Sequence, residues 1–135
     1  MPRVTWPLAH NHPVVQVHLW EPATGMRGMR TLVADTGAGP SNSPVELFLS
    51  QQDCQQFGLL ASRSVKLSGA ISGQFLTYEL WVEIPQLLAL RRAAVASIPI
   101  SQLPAGLDGI ASFRFLNGFT YGNFGDANQF GLEMP

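Results

Sequence analysis

Short apolar stretches separated by turn-forming residues run along most of this 135-residue chain. Across residues 78–84, apolar side chains at every second position alternate with Glu79, Trp81 and Glu83, which predicts a half-buried strand. Other stretches are rich in β-branched and aromatic residues, lack a helical period and are also predicted to be strands. These predicted strands are residues 14–20, 29–34, 45–49, 93–100, 119–121 and 129–133.

Two segments carry the signals of short helices. Ser50, followed three residues later by an acidic side chain, resembles a capping box, and Gly58 is placed to end the helix. Residues 51–57 are therefore predicted to form about two helical turns. Residues 113–117 fit one to two turns that end at a glycine. The chain is predicted to be mostly β with one or two short helices.

Turn residues connect several of the predicted strands. Residues 22–25 form a turn between the first two strands, and the second of these strands ends at Asp35. Residues 65–73 contain two Ser-Gly pairs between strand-like flanks, which predicts a hairpin with a mobile tip. Residues 39–44 are rich in glycine, proline and serine and are predicted to form a loop.

Composition narrows the class of protein. A chain of 135 residues that is 46% hydrophobic and 13% charged fits one compact domain, residues 1–135, with few charges to cover its surface. A surface that self-associates would explain this shortage. The formal net charge of -1 gives no electrostatic reason to expect nucleic acid as a partner. The only basic cluster, Arg91 and Arg92, is predicted to lie in a solvated loop.

Cysteine content and hydropathy suggest a location. Cys54 is the only cysteine, which excludes an intrachain disulfide and suits a reducing compartment. Nothing near it in sequence supplies the base that a catalytic thiol needs, so a buried helical position is predicted. No apolar run reaches the roughly 18 residues of a transmembrane helix, and residues 1–10 lack the apolar core of a secretory signal. We expect a cytoplasmic protein with no membrane partner.

Asp35-Thr36-Gly37 is the strongest chemical signal, because an apolar strand delivers a carboxylate into a glycine turn. Chance alone places such a tripeptide in about 5% of chains of this length. An ordinary turn is the alternative interpretation, since Asp and Gly both favour turns. Carboxylates that activate water for hydrolysis in this way act in pairs, and the sequence has no second Asp-Thr-Gly or Asp-Ser-Gly. One chain therefore holds half of such a site.

The histidines and a second aspartate are further candidates for functional residues. His10, His12 and His18 suggest a metal site, but zinc needs three or four ligands in a defined geometry, so no metal is predicted. Asp108 beside Gly109 is a candidate for a second catalytic carboxylate in the same chain. It lacks the hydroxyl residue between the aspartate and the glycine. We expect no metal and no cofactor.

Three segments, in order, resemble the retropepsin-like aspartic peptidases, the single-lobe relatives of pepsin. They are residues 32–38 with the Asp-Thr-Gly motif, residues 49–59 with the first predicted helix, and residues 108–116 with the second. The resemblance extends over residues 13–133. It implies the closed acid-protease β-barrel of that family, with one or two short helices.

The resemblance also implies roles for individual residues. Asp35 would be the catalytic carboxylate, and Thr36 would lock together the two active-site loops of a dimer. Gly37 would let the backbone approach the aspartate, and Ala38 is the small residue usual after the motif. The implied flap over the substrate has at its tip Gly69, Ala70, Ile71, Ser72 and Gly73. The implied turn behind the active-site loop is Ile110, Ala111 and Ser112.

The function implied by the resemblance is that of an aspartic endopeptidase. It would be a homodimer that hydrolyses extended peptides with an Asp dyad from two subunits and no cofactor. Residues 129–133 and the N-terminal segment are the expected dimer interface. The alternative is a weakly active or inactive peptide-binding or dimerisation module with the same fold. Ser112, where the family usually has glycine, and the long loop at residues 39–44 keep that alternative open.

Overall fold

The computed structural model describes residues 2–38, 44–58, 63–67 and 71–135. Within this part of the chain there are two short helices, α1 (Gln51–Gln56) and α2 (Phe113–Leu116). The strands described are β1 (Arg3–Pro7), β2 (Val14–Glu21), β3 (Met26–Ala34), β4 (Leu47–Ser50), β5 (Arg63–Leu67), β6 (Gly73–Ile84), β7 (Ala89–Ile98), β8 (Gly109–Ala111), β9 (Thr120–Gly122) and β10 (Gln129–Glu133). None of the helices described is long and apolar enough to cross a membrane.

Six strands close into a barrel. Their order is β2-β3-β8-β4-β7-β6, and pairing between β2 and β6 completes the ring, while β5 extends β6 outside it. The predicted fold class, a mostly β closed barrel with two short helices, is confirmed. Most neighbours are antiparallel, but β3 runs parallel to β8, and β4 runs parallel to β7.

Buried side chains form two clusters on opposite faces of the barrel wall. Successive residues of a strand point to opposite faces, and Leu32 and Val33 of β3 accordingly fall in different clusters. The first cluster draws side chains from all six barrel strands and therefore fills the interior. The second, here called the outer cluster, lies outside the wall. It consists of Val33, Val45, Phe48, Leu67, Phe75, Ala96, Ile98, Leu103 and Ile110.

Strand β6 buries different faces at its two ends. Leu80, Val82 and Ile84 are buried in the barrel interior, as the predicted alternation requires. The strand starts five residues earlier than predicted, at Gly73, and in this extension the opposite face is buried, with Phe75 in the outer cluster. One pattern of alternating apolar residues cannot predict such a strand, because its first residues pack against the outer cluster and its later residues against the barrel interior.

The chain termini form a separate three-stranded sheet. Its order is β1-β10-β9, and Trp6 of β1 and Leu132 of β10 are buried against the barrel interior. Arg3 and Glu133 form a salt bridge of 2.6 Å across the β1–β10 pair. Strand β1 was not predicted, since its five residues, the last of which is Pro7, show too short a pattern. Both edges of β10 are paired within the chain, and β1 and β9 are the outer strands of this sheet in the described part of the chain.

Helix α1 is fixed at both ends and to the barrel. The hydroxyl of Ser50 accepts the N–H of Asp53 at 3.0 Å, as the capping signal predicted, and Gly58 follows the helix with φ +66°. The Asp53 carboxylate binds Arg30 of β3 through two hydrogen bonds of 2.9 Å each. This hydrogen bonding raises the pKa of Arg30. The paired interaction joins α1 to the strand that leads to Asp35.

The prediction that Arg91 and Arg92 lie in a solvated loop is wrong. Both belong to β7, which starts four residues before the predicted strand. Arg91 pairs with Glu46, and Arg92 lies 3.1 Å from Glu79 on the neighbouring strand β6. Leu88, in a left-handed conformation with φ 54°, makes the tight connection that lets β7 start early. Most of the predicted loop at residues 39–44 lies outside the described residues.

Candidate active site

Asp35 emerges at the end of β3, at the point where three strands meet. Strand β3 pairs in parallel with β8, placing Ala34 beside Ala111, and β8 pairs on its other edge with β4. The Asp35 N–H donates to the carbonyl of Ala111 at 3.0 Å. The preceding Ala34 N–H donates to Pro13 at 2.8 Å. The backbone is therefore fixed up to the residue that carries the carboxylate.

The Asp-Thr-Gly turn then exposes its side chains. The Gly37 N–H donates to Oδ1 of Asp35 at 2.9 Å, and the Ala38 N–H donates to the Asp35 carbonyl at 3.2 Å. Asp35, Thr36 and Gly37 are exposed, whereas Ala38 packs against the outer cluster. Within the described residues, neither Oδ2 of Asp35 nor the Thr36 hydroxyl has a hydrogen-bond partner. The turn thus presents one oriented carboxylate to solvent.

Ser112 is accommodated behind this turn without strain. Its side chain is 1% exposed, and its hydroxyl donates to the carbonyl of Val45 at 3.0 Å. Its N–H donates to the backbone carbonyl of Glu46 at 2.9 Å, and its own carbonyl accepts the N–H of Leu116 at 3.0 Å. Its φ of -78° suits any residue, so the backbone does not require the glycine usual in the family.

The rest of the 108–112 segment supports β3 through backbone contacts. Ile110 lies in the outer cluster and Ala111 in the barrel interior. A Cβ on Gly109 would lie 2.1 Å from the carbonyl oxygen of Phe48, so β8 and β4 approach too closely there for any side chain. This role of Gly109 is not predictable from the sequence, because the close neighbour belongs to another strand. Only the Asp-Gly pair preceding Ile110 hinted at a special backbone position.

Asp108 has a structural role. Its Oδ2 accepts the Thr31 N–H at 2.8 Å, and its own N–H donates to the Thr31 carbonyl at 2.9 Å. Thr31 precedes Asp35 by four residues, which is on the order of 13 Å along a strand. Asp108 is therefore too far away to pair with Asp35 in the same chain.

The predicted flap segment forms a hairpin over the outer cluster. Strands β5 and β6 pair in antiparallel register down to Leu67 and Gly73. Ile71 packs against the outer cluster, Ser72 is exposed, and Gly73 has φ +129°, a conformation that favours glycine. Gly69 and Ala70 lie outside the described residues. The hairpin, the turn after Asp35 and Ile110 thus contact one apolar cluster.

The histidines singled out in the sequence do not form a metal centre with other ligands. His10 and Asn11, with φ 51° and 62°, form a tight turn whose ends, Ala9 and His12, exchange hydrogen bonds of 3.0 and 2.8 Å. Across the described part of the chain, no three or more His, Cys, Asp or Glu residues lie close enough to hold a metal ion.

The closed barrel, the strand arrangement under Asp35 and the hairpin over the outer cluster define a retropepsin-like fold. Among solved structures, the chain is similar to the crystal structure of a retropepsin-like aspartic protease from Rickettsia conorii, with a TM-score of 0.56 and 14% sequence identity. The alignment covers 96% of this chain and 89% of that protein. At this identity the similarity shows the fold alone. No protein-family model and no curated protein matches the sequence.

Proposed function

We propose that this protein is an aspartic endopeptidase that is active as a homodimer. The observation that supports the proposal best is the Asp35 turn. Its carboxylate is exposed at the end of a barrel strand, and one of its oxygens is oriented by the Gly37 N–H at 2.9 Å. Asp108, the other candidate within the chain, is held by Thr31. In this proposal the second carboxylate comes from a second copy of the chain.

In the proposed dimer the two Asp35 carboxylates meet across a two-fold axis. Two carboxylates within hydrogen-bonding distance cannot both ionise readily, so the pair shares one proton. The ionised member removes a proton from a water molecule, and that water attacks the scissile carbonyl. The protonated member donates its proton to the carbonyl oxygen. The exposed Thr36 hydroxyl, which has no partner in the described chain, would hydrogen-bond to the partner's loop.

The proposed substrate is an extended peptide that lies between the hairpin and Asp35. Strand β5 pairs only with β6 among the described strands, and its other edge is the one to which the proposed peptide would add. An extended peptide can add to such an edge, with alternate side chains entering pockets. The free, buried thiol of Cys54 suits a reducing compartment, and a cytoplasmic location is part of the proposal.

Peptide cleavage by matched variants tests the proposal. Wild-type protein, Asp35→Asn and the control Asp126→Asn would be incubated with a peptide library between about pH 4 and 7. Asp126 lies in an exposed turn and its Oδ1 accepts the Asn128 N–H at 2.9 Å, a contact that an asparagine oxygen can retain. We expect cleavage by wild type and Asp126→Asn, blocked by a statine-type inhibitor.

Asp35→Asn should lower cleavage by about 100-fold or more, because it removes the proton exchange of the dyad. Equal cleavage by wild type and Asp35→Asn would contradict the proposal. Peptide binding without cleavage by the wild type would instead support the alternative, an inactive peptide-binding module.

A further inference from the structure

A cleft of about 460 Å³ lies at the base of the flap hairpin. Its apolar walls are Pro44, Val45, Val65 of β5 and Ala94 of β7, and the hydroxyl-bearing residues Ser64, Thr77 and Tyr78 also line it. Glu79 of β6 also lines it. We call this space the base cleft. It lies at the end of the outer cluster, where β6 changes from the buried Thr77 to the exposed Glu79.

Short chains of contacts connect the base cleft to the Asp35 turn. Val45 belongs to the outer cluster together with Val33, which precedes Asp35 by two residues. The Val45 carbonyl also accepts a hydrogen bond from the Ser112 hydroxyl at 3.0 Å. Ser112 directly follows Ala111, whose carbonyl accepts the N–H of Asp35. The base cleft and the Asp35 turn are therefore linked through the outer cluster and Ser112.

The charge in the cleft belongs to Glu79, whose side chain is 56% exposed. Arg92 binds its Oε2 at 3.1 Å but does not line the cleft. Within the described residues, Oε1 of Glu79 has no hydrogen-bond partner. An ion pair this exposed is weak, so Glu79 can share its carboxylate with a second cation at little cost.

We infer that Glu79 determines specificity, and that the base cleft takes a lysine or arginine side chain of the peptide substrate. The apolar walls suit the long aliphatic stem of such a side chain, and the carboxylate at the rim suits its cation. This inference rests on the proposed peptidase function and adds to it the class of substrate: peptides with a basic residue near the scissile bond.

The test uses a neutral peptide that the wild type cleaves, with a single lysine or glutamine moved through the positions around the scissile bond. At one position, lysine should raise kcat/KM about fivefold over glutamine, the effect of about 1 kcal/mol. The preference should fall when the salt concentration rises to about 0.5 M, because exposed charges are screened. Glu79→Gln should abolish the preference, and Glu79→Lys should reverse it in favour of a glutamate peptide.

Two further variants separate recognition from a structural effect. Arg92→Gln breaks the same ion pair but leaves the Glu79 carboxylate, so it should keep or increase the lysine preference. Glu83→Gln makes the same chemical change on the same face of β6 outside the base cleft, and should leave the preference unchanged. Loss of the preference in Arg92→Gln, or its persistence in Glu79→Gln, would overturn the inference.

Measuring peptide binding makes the test of the base cleft independent of catalysis. If the wild type cleaves no peptide, the proposed function fails, and fluorescence anisotropy then measures how tightly the Asp35→Asn variant binds neutral extended peptides in which a single lysine or glutamine is moved through every position. Tighter binding of the lysine peptide, lost in Asp35→Asn/Glu79→Gln, would support the base cleft. Equal binding of both peptides would overturn it.

Discussion

The hydroxyl of Ser112 makes a buried hydrogen bond behind the Asp35 turn, with the Val45 carbonyl at 3.0 Å. Ser112→Ala removes this bond and leaves the backbone unchanged. We expect the free energy of unfolding to fall by about 1 kcal/mol, the typical net value of such a bond. Urea denaturation of the two proteins measures the difference. An unchanged unfolding midpoint would show that the hydroxyl does not stabilise the turn.

Gly109 is expected to tolerate no side chain. In Gly109→Ala the new Cβ would lie 2.1 Å from the Phe48 carbonyl oxygen, so β8 and β4 must separate. We expect a loss of about 3 kcal/mol or more in urea denaturation. Gly118→Ala is the control, since its Cβ would meet nothing closer than 3.4 Å and should change stability by less than about 1 kcal/mol. Similar effects of the two variants would contradict the close approach.

At the residue scale, the sequence reveals features that depend on neighbours along the chain. Asp35-Thr36-Gly37 and the Ser50 cap are local motifs, so both could be identified without a structure. The partner of Ser112 lies 67 positions away, and the requirement for glycine at position 109 comes from another strand. Neither contact leaves a pattern in a single sequence.

At the scale of helices and strands, too, only the elements that local signals encode could be predicted from the sequence. Helix α1 was predictable because its cap and its terminal glycine are encoded within nine residues. Strand β1 was missed and β7 was started too late, since both are stabilised mainly by their partners β10 and β6. The change of buried face along β6 likewise follows from the hairpin that it forms with β5.

The packing of helix α1 predicts a pH dependence of stability. Cys54, on the buried face of α1, is 2% exposed, and its burial raises the pKa of the thiol from 9.0 to about 11, although a hydrogen bond with Ser97 partly opposes this. The folded state favours the protonated thiol. Its contribution to stability is therefore complete below pH 9 and is lost as the pH rises from 9 towards 11.

Comparison with Cys54→Ala measures this contribution. Urea denaturation from pH 8 to 11 should show the wild type losing about 2–3 kcal/mol more stability than the variant. Lysine and tyrosine residues titrate in both proteins, so only the difference between the two curves reports on the thiol. If the free energies of unfolding of the two proteins changed equally over this pH range, the thiol would be accessible to water in the folded protein.

At the scale of the whole molecule, the fold is complete in one chain whereas the proposed site is not. The barrel closes through β2 and β6, and both terminal strands pair within the chain. Residues 129–133, expected from sequence to form the dimer interface, have both edges occupied by β1 and β9. Among the described residues, the Asp35 turn and the outer strands β1 and β9 remain as candidates for contacts in the proposed dimer.

Because the barrel closes within one chain and the proposed site needs two, dilution should abolish activity before it unfolds the chain. Specific activity should fall at protein concentrations where the far-UV circular dichroism and tryptophan fluorescence are still those of the folded protein, because Trp6 and the barrel core need no partner. Two copies joined by a flexible linker should stay active at the same dilution, since the linker supplies a millimolar effective concentration. Simultaneous loss of activity and structure would show that the fold itself depends on the second chain. Activity that is independent of concentration, in a protein that sediments as a monomer, would instead contradict the shared Asp35 dyad.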